Sequence, residues 1–94
     1  MRLALIVTTF ERPDALAQVL RSVTFQSSPP DELLVADDGS GPATRAVVEG
    51  FANGSAFAVR HLWLPHDGFQ AGRMRNRALA ATACDYAVLI DGDM

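Results

Sequence analysis

The chain contains 94 residues, of which 49% are hydrophobic, and it carries a formal net charge of -3 at pH 7. This length suits one small domain or part of a larger one, and so high a hydrophobic fraction excludes a disordered segment. The negative balance provides no basic field for binding nucleic acid or an anionic membrane surface.

The single cysteine, Cys84, excludes an internal disulfide and a thiolate zinc cluster. The first apolar run, residues 3–7, is too short for a signal peptide. No stretch approaches the roughly 20 apolar residues that a membrane-spanning helix needs. We therefore expect a cytoplasmic protein without a transmembrane segment, or one that in full length is peripheral to the inner face of the membrane.

Four short apolar runs predict four strands. The first, second and fourth, at residues 3–7, 33–36 and 86–90, show no alternation, so we expect them to be buried on both faces. The third, residues 57–63, alternates and contains polar side chains that suit an edge strand. We interpret its His61 as a structural residue of that edge.

Three amphipathic stretches between these runs predict helices. The first begins at Pro13 and ends before residues 27–30, the second runs from near Pro42 to residues 53–55, and the third covers residues 70–83. Their predicted inward faces are, in chain order, Leu16, Val19, Leu20 and Val23; Ala46, Val47 and Phe51; and Ala71, Met74, Ala78 and Ala81.

The resulting order, β-α-β-α-β-α-β, predicts an α/β fold in which helices pack over a parallel, Rossmann-like sheet. Parallel strands all end at the same edge of the sheet, which we call the carboxyl edge. Polar segments follow each predicted strand there, at residues 8–12, 37–41, 64–69 and 91–93. Loops at such an edge commonly form the ligand site, so we expect the site there.

An acidic pair, Asp91 and Asp93, follows the fourth strand with one glycine between the two residues. Two close carboxylates repel each other, and a hard divalent cation such as Mg²⁺ or Mn²⁺ relieves that repulsion. Such a cation also neutralises a diphosphate leaving group. The alternative interpretation is a polar turn after a buried strand.

A second acidic turn, residues 37–40, follows the second strand. One of its two aspartates can accept a hydrogen bond from a bound base or ribose; the alternative is a turn that caps a helix. On the third helix, Arg75 is the best-placed arginine for a phosphate or base. His66 lies in the third carboxyl-edge segment, where an ordinary loop histidine is the simpler interpretation.

Nucleophilic and P-loop chemistries lack their sequence signatures. No Ser-His-Asp or Cys-His arrangement is evident, and neither a dinucleotide fingerprint nor a phosphate-binding P-loop follows the first strand.

Five motifs occur in order along the chain, at residues 8–13, 36–40, 67–69, 75–78 and 90–93. Together they resemble the amino-terminal half of the inverting family 2 glycosyltransferases, which have the GT-A fold, and especially the chondroitin-polymerase-like branch. The resemblance covers residues 1–94 and implies a nucleotide-sugar donor, commonly a UDP-sugar, with Mn²⁺ or Mg²⁺.

Carried over by position, the resemblance implies roles for nine residues. Asp38 would accept from the base, Arg75 would help to hold the nucleotide, Asp91 would approach the ribose or the metal, and Asp93 would bind the metal. The other implied nucleotide-sugar contacts are Thr9, Phe10, Glu11, Arg12 and Gly68.

The family's general base and its acceptor site belong to the later half of the domain. We therefore expect the base beyond Met94, a saccharide or other glycosyl acceptor in the full-length protein, and little or no transfer by the isolated chain.

Two other classes of function are alternatives. The first is a non-catalytic α/β binding or interaction module derived from a transferase, in which an open sheet edge favours self-association. The second, a nucleotidyltransferase of related fold, lacks its Gly-rich, Arg-bearing loop after the first strand.

Overall fold

The computed structural model describes residues 2–25, 29–65 and 71–91, with residues 71–75 and 91 described by their backbone alone. Strands and helices alternate in the predicted order. The elements are β1 (Leu3–Thr9), α1 (Pro13–Thr24), β2 (Glu32–Asp38), α2 (Pro42–Asn53), β3 (Ala58–Leu64), α3 (Ala71–Ala81) and β4 (Tyr86–Asp91). The third helix ends at Ala81, before the predicted end at residue 83, and its predicted start at residue 70 lies outside the described residues.

The strands form one sheet in the order β3-β2-β1-β4, and every pairing is parallel. This architecture confirms the predicted α/β, Rossmann-like fold class. Strand β3 pairs only with β2 in the described sheet, which confirms its prediction as an edge strand. β1 lies between β2 and β4, so the strands that precede the two acidic segments of the sequence flank the same central strand.

Two apolar clusters cover opposite faces of β1 and β2. Helices α1 and α2 pack on one face, which we call the α1/α2 face, and α3 packs on the other, the α3 face. Alternate residues of β1 enter the two clusters, with Leu5 and Val7 on the α1/α2 face and Ala4 and Ile6 on the α3 face. Both central strands are therefore buried on both faces, as their unbroken apolar runs predict.

Prolines open two helices, as predicted. Pro13 and Pro42 occupy the first helical positions of α1 and α2, where a missing N–H costs little. The inward face of α1 is also confirmed, since Leu16, Leu20 and Val23 are buried and Val19 packs against them.

The predicted inward face of α2 is wrong at one residue, Ala46. Ala46 is exposed, whereas Thr44 and Val48 are buried and Val47 and Phe51 are partly buried. Residues two apart point to different sides of a helix, so Ala46 cannot share the face of Thr44 and Val48. The apolar pattern counted a small alanine as a core residue and passed over a threonine.

The expectation that β4 is buried on both faces is also wrong. Tyr86, Val88 and Leu89 are 57%, 47% and 41% exposed. β4 pairs with β1 alone in the described sheet, and α3 lies over β1 and β2. An unbroken apolar run therefore does not distinguish a central strand from this edge strand.

Within residues 2–25, 29–65 and 71–91, no helix is both long enough and apolar enough to cross a bilayer.

Candidate functional site

The sheet register brings the predicted site segments together at the carboxyl edge. Thr8 of β1 pairs with Asp91 of β4, and Thr9 pairs with Asp37 of β2. Neighbouring strands are about 4.8 Å apart, so the ends of β2 and β4, on either side of β1, are separated by about 10 Å. A nucleoside diphosphate is long enough to bridge segments at that separation.

The two aspartates of the β2 turn have different environments. Asp37 follows Val35 on the α1/α2 face and is completely buried, whereas Asp38 is half-buried and pairs with Leu64, which packs on the α3 face. The pattern of the turn alone left open which of the two meets a ligand, and the family resemblance implied Asp38. The burial of Asp37 leaves Asp38 as the aspartate at the accessible surface of the turn.

Both carboxylate oxygens of Asp37 have partners inside the protein. Oδ1 accepts from the backbone N–H of Ser40 at 3.0 Å, and Oδ2 lies 2.8 Å from Nε2 of His61. Burial alone raises the pKa of Asp37, but the hydrogen bonds from His61 and Ser40 outweigh burial and hold that pKa below its ordinary value. Asp37 is therefore an ionised anchor of the turn.

Reciprocal hydrogen bonds join the segment after β1 to the segment after β2. The Glu11 backbone N–H donates to Oγ of Ser40 at 2.7 Å, and the Gly41 N–H donates to Oε1 of Glu11 at 2.6 Å. Gly41 is the N-cap residue of α2, and it has no side chain that could accept a capping hydrogen bond. The Glu11 carboxylate thus lies at a helix N-terminus, where the macrodipole favours negative charge.

Thr9 carries a buried hydroxyl without a partner. Its side chain is 3% exposed, and Oγ1 makes no hydrogen bond among the described residues. An unsatisfied buried hydroxyl costs on the order of 1–3 kcal/mol, so a group of this kind calls for an explanation. Its position at the end of β1 makes it a candidate contact for a bound ligand.

Two other residues of the β1 segment are at the surface. Phe10 is partly exposed, and Nε of Arg12 donates to Oδ1 of Asp14 at 3.3 Å on the exposed start of α1. Phe10 therefore presents an aromatic side chain at the carboxyl edge, while Arg12 forms a local surface ion pair.

The remaining site predictions stay open. Gly68 and Asp93, together with His66, lie outside the described residues. Arg75 lies within α3 and Asp91 ends β4, each described by its backbone alone. Where side chains are described, no group of three or more His, Cys, Asp or Glu residues forms a metal cluster.

Sequence reasoning missed the role of two residues on β3. His61 bonds to Asp37, and Nε1 of Trp63 donates to the carbonyl oxygen of Ser40 at 2.9 Å. The alternation of β3 put both side chains on one face, which was the available signal. The interpretation of His61 as structural did not include a connection to the turn of the candidate site.

The sequence model of the family described as Glycosyl transferase family 2 matches residues 4–94, nearly the whole chain. The chain belongs to glycosyl transferase family 2. This match confirms the resemblance that the five motifs indicate.

Two curated relatives of this family 2 chain align over most of its length. It is 34% identical over 93 residues to the hyaluronan synthase of Pasteurella multocida, covering 98% of this chain and 9% of that protein. It is 31% identical over 90 residues to the succinoglycan biosynthesis protein ExoM of Rhizobium meliloti (strain 1021), covering 93% of this chain and 28% of that protein. The chain thus spans between about a tenth and just over a quarter of these relatives.

Solved structures share the fold of this family 2 chain. S. aureus TarS superposes with a TM-score of 0.84 at 26% identity, over 99% of this chain and 17% of that one. Another solved structure is glucosyl-3-phosphoglycerate synthase from Mycobacterium tuberculosis in complex with Mn²⁺, UDP and glucosyl-3-phosphoglycerate. It superposes with a TM-score of 0.75 at 22% identity, over 97% of this chain and 33% of that one. The second likeness concerns the fold alone. Together they support the expected GT-A architecture.

The buried Asp37 carboxylate gives a pH-dependent prediction. Its pKa is lowered by folding, so its contribution to stability is complete above the unfolded-state pKa of about 3.9 and is lost as the pH falls through the folded-state value. We expect Asp37→Asn to lower the free energy of unfolding by about 1–3 kcal/mol at pH 5, and by progressively less toward pH 3. Urea unfolding of both proteins across this range measures the difference.

The matched control for this experiment is Glu49→Gln, which changes an exposed carboxylate on α2. It is expected to change the free energy of unfolding by less than about 0.5 kcal/mol at every pH. A stability difference for Asp37→Asn that stays constant or grows on acidification would contradict the assignment of Asp37 as an ionised anchor.

Proposed function

We propose that this chain is the donor-binding part of an inverting glycosyltransferase that uses a nucleoside-diphosphate sugar, with UDP-sugar as the expected donor, and a divalent cation. The observation that carries the proposal is the parallel register around β1, in a chain that belongs to glycosyl transferase family 2. That register supports a common site formed by the segments that follow β1, β2 and β4.

The nucleoside is proposed to bind between the segments after β1 and β2. The Thr9 hydroxyl, which has no hydrogen-bond partner among the described residues, can bond to a polar edge of the base or ribose. The exposed Phe10 ring can pack against the planar base. Asp38 is the proposed acceptor for a base N–H, since it lies at the accessible surface of the turn, whereas Asp37 is completely buried. The other proposed contacts are Glu11, Arg12, Gly68 and Arg75.

The cation is proposed to bind Asp91 and Asp93. Their oxygen-only donor set suits Mn²⁺ or Mg²⁺, and Asp91 pairs with Thr8 at the carboxyl edge, beside the proposed nucleoside site. When bound, the cation supplies neutralisation of the charge on the diphosphate leaving group. The M. tuberculosis enzyme was solved with Mn²⁺ and UDP, and the shared fold makes the same pair a reasonable first probe for this chain.

The chain's own residues contribute binding and orientation to the proposed reaction. They hold the base, ribose and diphosphate, so that the sugar carbon is presented to an acceptor in a fixed position. The general base that activates the acceptor, and the site for the saccharide or other acceptor, are proposed to belong to the later half of the family 2 domain; this chain covers 9% and 28% of its two curated relatives. The isolated chain is accordingly expected to bind donor without transferring sugar.

Calorimetric titration tests the metal-dependent binding of the nucleotide. We expect UDP to bind the chain in the presence of Mn²⁺ and to bind at least about tenfold more weakly when Mn²⁺ is omitted or when Asp93 is changed to Asn, because the diphosphate then lacks its counter-charge.

The matched control is Asp85→Asn, which changes the aspartate at the opposite end of β4. Oδ2 of Asp85 accepts from the Arg2 backbone N–H, a bond that an asparagine oxygen preserves. This variant is expected to bind UDP with Mn²⁺ like the unchanged chain. Metal-independent binding that Asp93→Asn leaves intact would count against the proposal.

A second candidate function, a non-catalytic interaction module, is favoured by one observation. Tyr86, Val88 and Leu89 expose apolar surface on an edge strand, and such edges pair readily with other strands. Self-association through β4 is the form of interaction proposed here.

Light scattering over a range of concentrations tests this candidate. Self-association predicts a mass that rises with concentration for residues 1–94 and falls toward the monomer for Val88→Lys, because a charge on the edge opposes pairing. The control Ala46→Lys adds the same charge on the exposed face of α2 and is expected to leave the association unchanged. A monomer at every concentration would remove the candidate.

A further inference from the structure

We infer that His61 and Trp63 are positioning residues for the nucleotide, acting through Ser40 on the segments that follow β2 and β1. This inference rests on the proposed function, and it assigns to the edge strand β3 a part in shaping the donor site. Neither residue is proposed to touch the ligand.

Ser40 is the connection between β3 and the rest of the site. Its carbonyl oxygen accepts from the Trp63 indole, its backbone N–H donates to Asp37, and its hydroxyl accepts from the Glu11 backbone N–H. His61 acts on the same turn from the neighbouring strand, because it bonds to the second oxygen of Asp37. One buried serine thus receives constraints from β2 and β3 and passes them to the segment after β1.

The β3 register explains why these two residues reach the turn. His61 pairs with Val35 and Trp63 pairs with Asp37, so both lie on the α1/α2 face beside the end of β2. Trp63 is 43% exposed and His61 is largely buried. The indole N–H of a tryptophan this exposed could bond to water instead of to the protein. Its bond to the Ser40 carbonyl oxygen therefore points to a role in fixing that loop.

The constraint matters most at Glu11, whose backbone is in an unfavourable conformation. Its φ of 52° lies in the left-handed region, which residues other than glycine seldom adopt. Such a conformation persists where the surroundings determine it more than once. Here the Ser40 hydroxyl holds the Glu11 N–H, and the Gly41 N–H holds the Glu11 carboxylate.

The consequence for the ligand follows from the neighbours of Glu11. Thr9 and Phe10 precede it directly, and both are proposed nucleoside contacts. If the Glu11 backbone relaxes, the adjacent Phe10 ring changes its position relative to Thr9, which the sheet holds at the end of β1, and relative to Asp38 on β2. A misplacement of this kind weakens binding without removing any atom that touches the nucleotide.

The test compares UDP affinity and stability in one set of variants. Trp63→Phe removes the indole N–H and keeps an aromatic ring, His61→Leu removes the bond to Asp37, and His61→Gln restores a side-chain amide that can bond to it. Tyr86→Phe is the matched control, because it removes a polar group from an exposed aromatic residue on the other edge strand. UDP is titrated with Mn²⁺ under conditions in which urea unfolding shows every variant to be folded.

We expect Trp63→Phe and His61→Leu each to weaken UDP binding by about tenfold, which corresponds to the loss of one hydrogen bond in the network. His61→Gln should recover affinity to within about threefold, and Tyr86→Phe should bind as the unchanged chain does. The amide resonance of Glu11 in the ligand-free protein should move in the two weakened variants and return in His61→Gln, a change that general destabilisation does not produce.

Two results would overturn the inference. In one, the folded Trp63→Phe and His61→Leu proteins bind UDP as tightly as the unchanged chain; in the other, His61→Gln remains as weak as His61→Leu. Failure of the unchanged chain itself to bind UDP would overturn the proposed function, and the inference with it. The UDP affinity of the unchanged chain therefore distinguishes a failure of the inference from a failure of the proposed function.

Discussion

Parallel pairing of β1 with β2 on one side and β4 on the other is the constraint on which the site depends. It requires the first strand to be apolar on both faces, and residues 4–7 meet that requirement by being buried in two separate clusters. Once β1 is central, the segments that follow all three strands must emerge side by side. A threonine, an acidic turn and the end of β4 are thereby brought within about 10 Å of one another.

A polar network then fixes the shape of this edge. A buried carboxylate is tolerated only with good partners, and Asp37 has them in His61 and the Ser40 N–H. Its neighbour Asp38 is only half-buried, at the surface of the turn. The different roles of the adjacent aspartates therefore follow from the alternation of β2, which points one toward α1 and α2 and the other toward the α3 face.

Local periodicity was sufficient to predict the elements, their order and the parallel sheet, because unbroken apolar runs and helical spacing are properties of neighbouring residues. It was insufficient where burial depends on distant elements. The apolar run of β4 resembles that of β1, yet β4 pairs with β1 alone in the described sheet and is largely exposed. Ala46 of α2 is exposed because Thr44 and Val48 face the core. The site divides in the same way: motifs located the segments after β1 and β2, but the pairing of Asp37 with His61 joins residues 24 positions apart. Such a contact follows from register between β2 and β3, which no pattern within either strand contains. The roles of Asp91 and Asp93 at the metal, and those of Gly68 and Arg75 at the nucleotide, stay predictions.

The central claim is that one cation-held diphosphate binds at the carboxyl edge, around the end of β1. Paramagnetic relaxation by Mn²⁺ in the presence of UDP measures this most directly, because broadening of amide resonances falls steeply with distance from the ion. A strand of seven residues spans about 20 Å, which separates the two ends of the sheet clearly. We expect strong broadening at Thr9, Asp38 and Asp91 and much weaker effects at the amino ends of the strands, at Leu3, Leu33 and Tyr86. Equal broadening at both ends, or broadening centred on the amino ends, would contradict the claim.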